Sequence, residues 1–278
     1  MRTVRLCLST TLLTTLALAP TLASASGSVT LKGSDTMVIL AQRWAEEFMK
    51  IHDATVTVTG GGSGTGISAL INATTDVCMS SRMMKPTEKQ RLRERHNSAG
   101  VEIPVAKDGL AIYVHSTNPV EEITLEQLRL VYTGKLTNWK DLGGPDAKII
   151  PYSRENSSGT YVYFKDEVLR GADFTPRAQT LPGTAAVVNA VAKDKLGMGY
   201  GGAAFAKGIK LLKVRREAGT PALVPTAATV ADGSYALTRP LYFYLRSKAS
   251  GDVAAFIDWA LSPAGQAFTT KTGYFPLN

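Results

Sequence analysis

Three short stretches of this sequence repeat one local design, with hydroxyl-bearing residues and glycines where a strand gives way to a helix. They are Gly33-Ser34-Asp35-Thr36, Gly62-Ser63-Gly64-Thr65-Gly66 and Ser157-Ser158-Gly159-Thr160. A helix start offers unpaired backbone N–H groups and the positive end of a dipole, and serine and threonine add hydroxyl donors. Converging in space, the three starts would form a cage for an anion. Each also has an ordinary reading, because Ser, Thr and Gly are the common residues of helix N-caps. Arg154 stands four residues before Ser158, in SRENSSGTYVYF. Its planar guanidinium matches two oxygens of a tetrahedral oxyanion. The alternative for Arg154 is a solvated surface arginine.

Catalytic chemistry has less support. The three histidines are His52, His96 and His115, and none is spaced as a metal pair. Ser63 does not sit in a G-x-S-x-G elbow, since Thr65 stands where the last glycine would be. Lys271-Thr272-Gly273 matches one box of the serine penicillin-recognising enzymes, but no S-x-x-K accompanies it. The glycine loop lacks the closing Gly-Lys-Ser/Thr of a P-loop. Cys78, Met79, Met83 and Met84 read as a buried strand with core-filling methionines rather than a soft-metal site. No stretch interleaves basic residues with aromatics, so nucleic acid is not an expected partner.

The elements that must position these turns alternate. Residues 29–32 and 54–59 read as strands, and 37–50 as a helix with an apolar stripe at Met37, Leu40, Ala41, Trp44, Ala45 and Phe48. The glycine loop spans 60–66, and a short helix is expected over 67–73. Residues 77–79 form a buried strand and 87–96 a charged helix, with strands at 101–105 and 110–115. Further on, helices are expected at 125–132, 161–169, 184–192, 253–261 and 264–271, and strands at 149–152, 198–200 and 235–245. Such alternation predicts an α/β fold with a parallel or mixed sheet. No Pro-rich or Ser-rich linker separates the halves, which suits two lobes joined by two strands. The crossings are expected near Lys107-Asp108-Gly109 and Thr238-Arg239-Pro240.

Composition bounds the class. With 278 residues, 44% hydrophobic and 19% charged, the chain can bury one or two cores and is not a disordered tail protein. Arg2 and Arg5, the apolar run 6–18 and Ala23-Ser24-Ala25 have the pattern of a secretory signal peptide over 1–25. Its removal lowers the formal charge from +8 to +6 and takes Cys7 with it, leaving Cys78 without a disulfide partner.

The segments LKGSDTMVILAQRWAEEF, GGGSGTGISAL, MSSRMMKPTE, LEQLRLVYTGKLTNWKDLGG, YSRENSSGTYVYFKDEVL, ALTRPLYFYL and LSPAGQAFTTKTGYFPL occur in this order over nearly the whole mature chain. Together they resemble the periplasmic phosphate-binding proteins of the PstS type, with WKDLGG and RENSSGT the most specific. The resemblance implies a two-lobe, type II "Venus flytrap" fold with two hinge strands. It assigns 26–108 and 240–278 to lobe one and 109–239 to lobe two. It implies a soluble, monomeric, non-enzymatic periplasmic receptor that needs no metal or cofactor and delivers inorganic phosphate to an inner-membrane ABC permease.

Carried over by motif, the phosphate ligands would be Ser34, Asp35, Thr36, Ser63, Arg82, Arg154, Ser158, Gly159 and Thr160. Two departures from the family pattern matter. Asp35 stands where many relatives have Thr, and Arg82 near their Asp. A carboxylate moved to Asp35 would accept the hydrogen of HPO4²⁻, which sulfate lacks. Arg82 is left between touching the ligand, pairing with Asp35 and forming a salt bridge elsewhere. Asn156 replaces the Asp that steadies the pocket arginine in many relatives. Strand alternation points Glu155 away, so the support of Arg154 is open. Sulfate, molybdate or tungstate would favour neutral donors over Asp35; arsenate carries a proton as phosphate does.

Overall fold

The structure is a computed structural model and describes residues 27–277; the signal peptide expected over 1–25 lies outside the described residues. One continuous path of paired strands runs through the molecule. Its first part holds β1 (Gly27–Gly33), β2 (Ala54–Thr59) and β3 (Val77–Ser80), with β2 and β3 both parallel to β1. Its far part holds β6 (Ile150–Arg154), β7 (Gln179–Leu181) and β8 (Gly197–Gly202), with β7 and β8 both parallel to β6.

Two long strands join the parts. β4 (Val101–Val114) and β10 (Thr238–Leu245) pair antiparallel, with Gly109 opposite Thr238, Asp108 opposite Arg239 and Lys107 opposite Pro240. β10 continues against β3. From Leu110 onward β4 turns its edges to β8 and to β9 (Lys210–Arg215), which also carries β5 (Glu122–Thr124). The break expected between 105 and 110 does not exist. Pairing with β10 continues through Lys107, Asp108 and Gly109, so the backbone there has ladder partners and no reason to loop.

Both parts are layered, with helices covering the sheet. α1 (Val38–Phe48) buries Leu40, Ala41, Trp44, Ala45 and Phe48 against β1 and β3. The Trp44 indole N–H finds the Gly265 carbonyl at 2.9 Å, on α9 (Pro263–Lys271). α8 (Gly251–Leu261) completes that core with Phe256 and Ile257. On the other face, α2 (Ser63–Ile71) and α3 (Pro86–His96) bring Ile67, Leu70 and Leu92 to Cys78, Tyr242 and Tyr244.

In the far part, α4 (Leu125–Tyr132) and α5 (Gly159–Glu167) supply Leu128, Tyr132 and Phe164 to a core with Trp139 and Tyr200. α6 (Thr184–Lys193) packs Val187, Val188 and Val191 on Tyr113. α7 (Ala227–Ala231) is a single short helix with Val230 buried. The WKDLGG motif is a scaffold device. Trp139 is fully buried with its indole N–H on the Leu196 carbonyl, and Gly143 takes a φ of +78° to end the turn.

Burial pushes the Cys78 thiol well above its ordinary range, which leaves it a small core residue. No helix among the described residues is long and apolar enough to cross a membrane.

Candidate oxyanion site

Parallel strands deliver their following helices to one edge, the edge at the carboxyl ends of the strands. β1 leads through Ser34 into a 3-10 turn (Asp35–Met37) and then α1; β2 leads through three glycines into α2; β6 leads through 155–158 into α5. Both sheet parts present this edge to the same space, and the three turns meet there. α2 starts four residues earlier than the periodicity predicts. Gly62 is its N-cap, at φ +91° and ψ +152°, so Ser63 and Gly64 lie in the first turn rather than in a loop. That places the helix start itself at the meeting point.

The contacts between the two sides are short. The Thr36 and Thr160 hydroxyls lie 2.9 Å apart. The Gly64 N–H donates to the Ser157 carbonyl at 2.8 Å. Arg154 Nη2 donates to Asp35 Oδ2 at 2.8 Å. Gly159 sits so close that a Cβ there would lie 2.2 Å from Ser63 Oγ and 2.7 Å from Ser81 Oγ. Ser34, Thr36, Ser63, Ser81, Ser158, Thr160 and Arg154 are all buried.

The capping explanation accounts for only one of the three serines. Ser158 Oγ does cap α5, accepting from Thr160 N and Tyr161 N at 3.2 and 3.3 Å. Ser34 and Ser63 cap nothing. The Ser34 hydroxyl donates to Ser81 Oγ at 2.9 Å, and Ser63 Oγ accepts the Ser81 N–H at 3.1 Å. Ser34, Ser63 and Ser81 therefore gather their hydroxyls together, those of Ser63 and Ser81 beside Gly159, in an arrangement that caps no helix.

Arg154 is 1% exposed, and every nitrogen of its side chain has a partner. Glu155 takes Nε at 3.2 Å and Nη2 at 3.0 Å, Thr184 Oγ1 takes Nη1 at 2.8 Å, and Asp35 takes Nη2. The expectation that Glu155 points away is thus incorrect. β6 ends at Arg154, so the next residue escapes strand alternation and its carboxylate folds back onto its neighbour. Asn156 is exposed and holds nothing here. Asp35 also accepts the Gly61 N–H on Oδ1 at 2.9 Å, which fixes the carboxylate between the first two turns.

Arg82 does not join the cluster. Its guanidinium forms a fork with Glu88, at 2.8 Å on both nitrogens, and Nη1 also reaches the Met83 carbonyl. Neither Asp35 nor the meeting hydroxyls are among its partners. Burial pushes the Glu88 carboxyl up, but the Arg82 fork and the Lys85 N–H outweigh it and hold the group below its ordinary 4.5.

Sequence reasoning missed four members. Ser81 stands beside Arg82 in MSSRMMKPTE, where the charged neighbour drew attention instead. Thr184 and Glu155 hold Arg154. Arg239, noted only as a crossing point, is 2% exposed and bound by Asp108, itself 1% exposed, at 2.8 and 3.0 Å. A charged pair facing across two apolar strands was the available signal. Tyr274 donates to the Thr36 carbonyl at 2.5 Å, and burial followed by the nearby Asp108 keeps its phenol protonated far above its ordinary range.

Arg154 and Arg239 face three carboxylates, Asp35, Glu155 and Asp108, so the cluster carries no excess of positive charge. Any anion held here would be selected by aimed N–H and O–H donors rather than by net charge, and such donors act strongly in a site shielded from water. An inter-lobe cleft of about 800 Å³ opens onto Ser81 and Arg239, with Lys85, Lys89 and Arg93 on one wall and Tyr163, Asp166 and Glu167 on the other. The three histidines lie elsewhere: His52 stacks on Phe48, His96 contacts the Ile71 carbonyl, and His115 contacts Thr117.

The profile of the PBP superfamily domain matches residues 19–264. The phosphate-binding protein PstS of Pseudomonas aeruginosa is 32% identical over 270 residues, which cover 91% of this chain and 84% of that protein. The chain belongs to the PstS family. Its likeness to PstS of Staphylococcus aureus is 35% identity over 253 residues, covering 87% of this chain and 76% of that one. Solved structures agree with the two-lobed α/β architecture. One from Clostridium perfringens, described as a phosphate ABC transporter substrate-binding protein with bound phosphate, has a TM-score of 0.82 at 30% identity and covers 91% of this chain and 100% of that one. An ABC-type phosphate transport receptor from Vibrio cholerae has a TM-score of 0.71 at 29% identity, covering 89% and 99%.

Proposed function

We propose that this chain is the phosphate receptor of an ABC transporter, a binding protein rather than an enzyme, exported by its leader to the periplasm as a monomer. The observation that carries the reading is the convergence of three helix starts, from both sides of the molecule, on one buried set of hydroxyls beside Arg154. In this reading lobe one comprises 26–108 and 240–278 and lobe two 109–239. The separation of their buried cores, one around Trp44 and Phe243 and the other around Trp139 and Tyr200, supports that division.

Phosphate is held by Ser34, Thr36, Ser63, Ser158, Gly159 and Thr160, with Arg154 as the charged donor and Ser81 added to the set. Arg82 is assigned to its Glu88 pair instead. Asp35 accepts the hydrogen of HPO4²⁻. The anion enters by the cleft with the basic wall, bridges the lobes and stabilises the closed form that the permease reads.

Titration calorimetry on the mature chain, refolded to strip bound anion, tests this. One-to-one phosphate binding, micromolar or tighter and so about −8 kcal/mol or better, is expected, with sulfate silent. Sulfate binding equally well would leave a cage that does not read the proton. No heat from either anion would sink the receptor reading.

A further inference from the structure

The hydroxyls that meet at the candidate site have a property that any anion receptor must control. A hydroxyl is both donor and acceptor, and an oxyanion rewards only the donor. Thr36 and Thr160 lie 2.9 Å apart, one from each side of the molecule, and left alone one would donate to the other. Arg239 stands behind them. It lies on hinge strand β10, and its Nη2 reaches Thr160 Oγ1 at 3.0 Å and Thr36 Oγ1 at 3.4 Å. A guanidinium donates and never accepts. Asp108 takes one Nη2 hydrogen and Thr160, the nearer threonine, takes the other. With Thr36 donating across the 2.9 Å gap, both lone pairs of Thr160 Oγ1 are filled, and the Thr160 hydrogen is left to point elsewhere.

Arg239 is itself held without freedom. Asp108, opposite it on hinge strand β4, accepts from Nε at 3.0 Å and Nη2 at 2.8 Å. Nη1 reaches the Ser81 carbonyl at 3.2 Å, and the Tyr163 ring lies under the guanidinium, 5.1 Å from its carbon. Arg239 thus touches the two hinge strands, the turn after β3 and the first turn of α5 at once.

We infer that Arg239, clamped by Asp108 on the paired hinge strands, is a positioning residue that fixes Thr160 as a donor toward the bound anion. It acts through Thr160, with Thr36 filling the second lone pair of that hydroxyl, and its geometry links the orientation of Thr160 to the hinge itself. The inference rests on the phosphate-receptor reading and names a specificity device within that site.

A double-mutant cycle isolates this role. Arg239→Gln alone would leave Asp108 as a buried unpaired charge, so the charge-neutral pair variant Asp108→Asn/Arg239→Gln serves as one arm and Thr160→Val as the other. Phosphate affinity is measured by calorimetry for the parent, each arm and the triple variant. Losing an oriented buried hydrogen bond should weaken binding roughly 10- to 100-fold in each arm. The triple variant should bind no more than about threefold worse than the weaker arm, because both arms remove the same donor.

Arg239→Lys, which keeps a cation beside Asp108, should recover part of the affinity lost in the pair variant and keeps the test open if the pair variant folds poorly. Losses that multiply in the triple variant, or Arg239→Lys binding with parental affinity and parental sulfate rejection, would overturn the role while leaving the receptor intact. A parent that takes up no phosphate would overturn the receptor reading itself.

Discussion

Arg154 illustrates how a buried charge is made available to a ligand. Its side chain is enclosed, yet Glu155, Asp35 and Thr184 divide its donors so that no charge is left unpaired. Truncation to Ala would strand two carboxylates and remove the one charged donor of the proposed set. Arg154→Ala should weaken phosphate binding by roughly 100-fold or more, the cost of about 3 kcal/mol for a broken buried pair; unchanged affinity in calorimetry would show that the site lies elsewhere. Asp35 separates two further possibilities. If it accepts the phosphate hydrogen, Asp35→Asn should cost roughly ten- to several-hundred-fold for phosphate and narrow the phosphate-to-sulfate ratio. A ratio that does not move would leave Asp35 only as the partner of Arg154. The hydroxyl turns and Arg154 were legible in the sequence because helix-start chemistry is local. Glu155, Ser81 and Arg239 were not, because each acts through a partner brought near by the fold.

The helices and strands were legible to the extent that one face of each is buried. The apolar stripe of α1 located it within two residues at each end. The start of α2 was misplaced because glycines that look like loop are needed there for close approach: a Cβ on Gly64 would lie 3.2 Å from the Ser157 carbonyl oxygen, and one on Gly66 would lie 2.5 Å from that of Lys32. β9 escaped notice because charged and apolar residues mix along it without a clear period of two. The first turn of α5 gives a test of lobe contact. Gly159→Ala should leave the ligand-free melting temperature unchanged, since alanine suits a helix start. Its added methyl, wedged against Ser63 and Ser81, should cost about 1–3 kcal/mol of closure, seen as roughly 5- to 150-fold weaker phosphate binding. Trp139→Ala should do the reverse, destabilising by about 3–5 kcal/mol in denaturant melts with phosphate affinity retained by the folded fraction. α3 carries a pH test. The Glu88 carboxyl is held below its ordinary value in the fold, so its pair with Arg82 stabilises above about pH 4.5 and fades as pH falls through the lowered value. Glu88→Gln should therefore melt below the parent at pH 7, and the gap should close as the pH falls below the ordinary carboxylate range.

Two buried cores joined by β4 and β10 face each other around the site, and the closed arrangement there depends on what lies between them. The direct links across that space are few: an ion pair, a hydroxyl pair, one backbone hydrogen bond and the reach of Arg239. Each is a bond to a partly polar surface that water would otherwise satisfy, so their net contribution is small. A bound tetrahedral anion would be touched by both sides at once, and its binding energy would belong to the closed form alone. At a thousandfold excess over the dissociation constant, one such site stabilises the folded state by about 4 kcal/mol. For a chain of this size that corresponds to a rise of roughly 8–16 °C in melting temperature. Phosphate should produce that shift in a thermal melt of the parent and sulfate should not. In Arg154→Ala and Gly159→Ala the shift should shrink together, although one loses a donor and the other only the room to close. A full phosphate shift in Gly159→Ala would mean that the anion binds to one lobe without closure, and the bridging geometry would have to be abandoned.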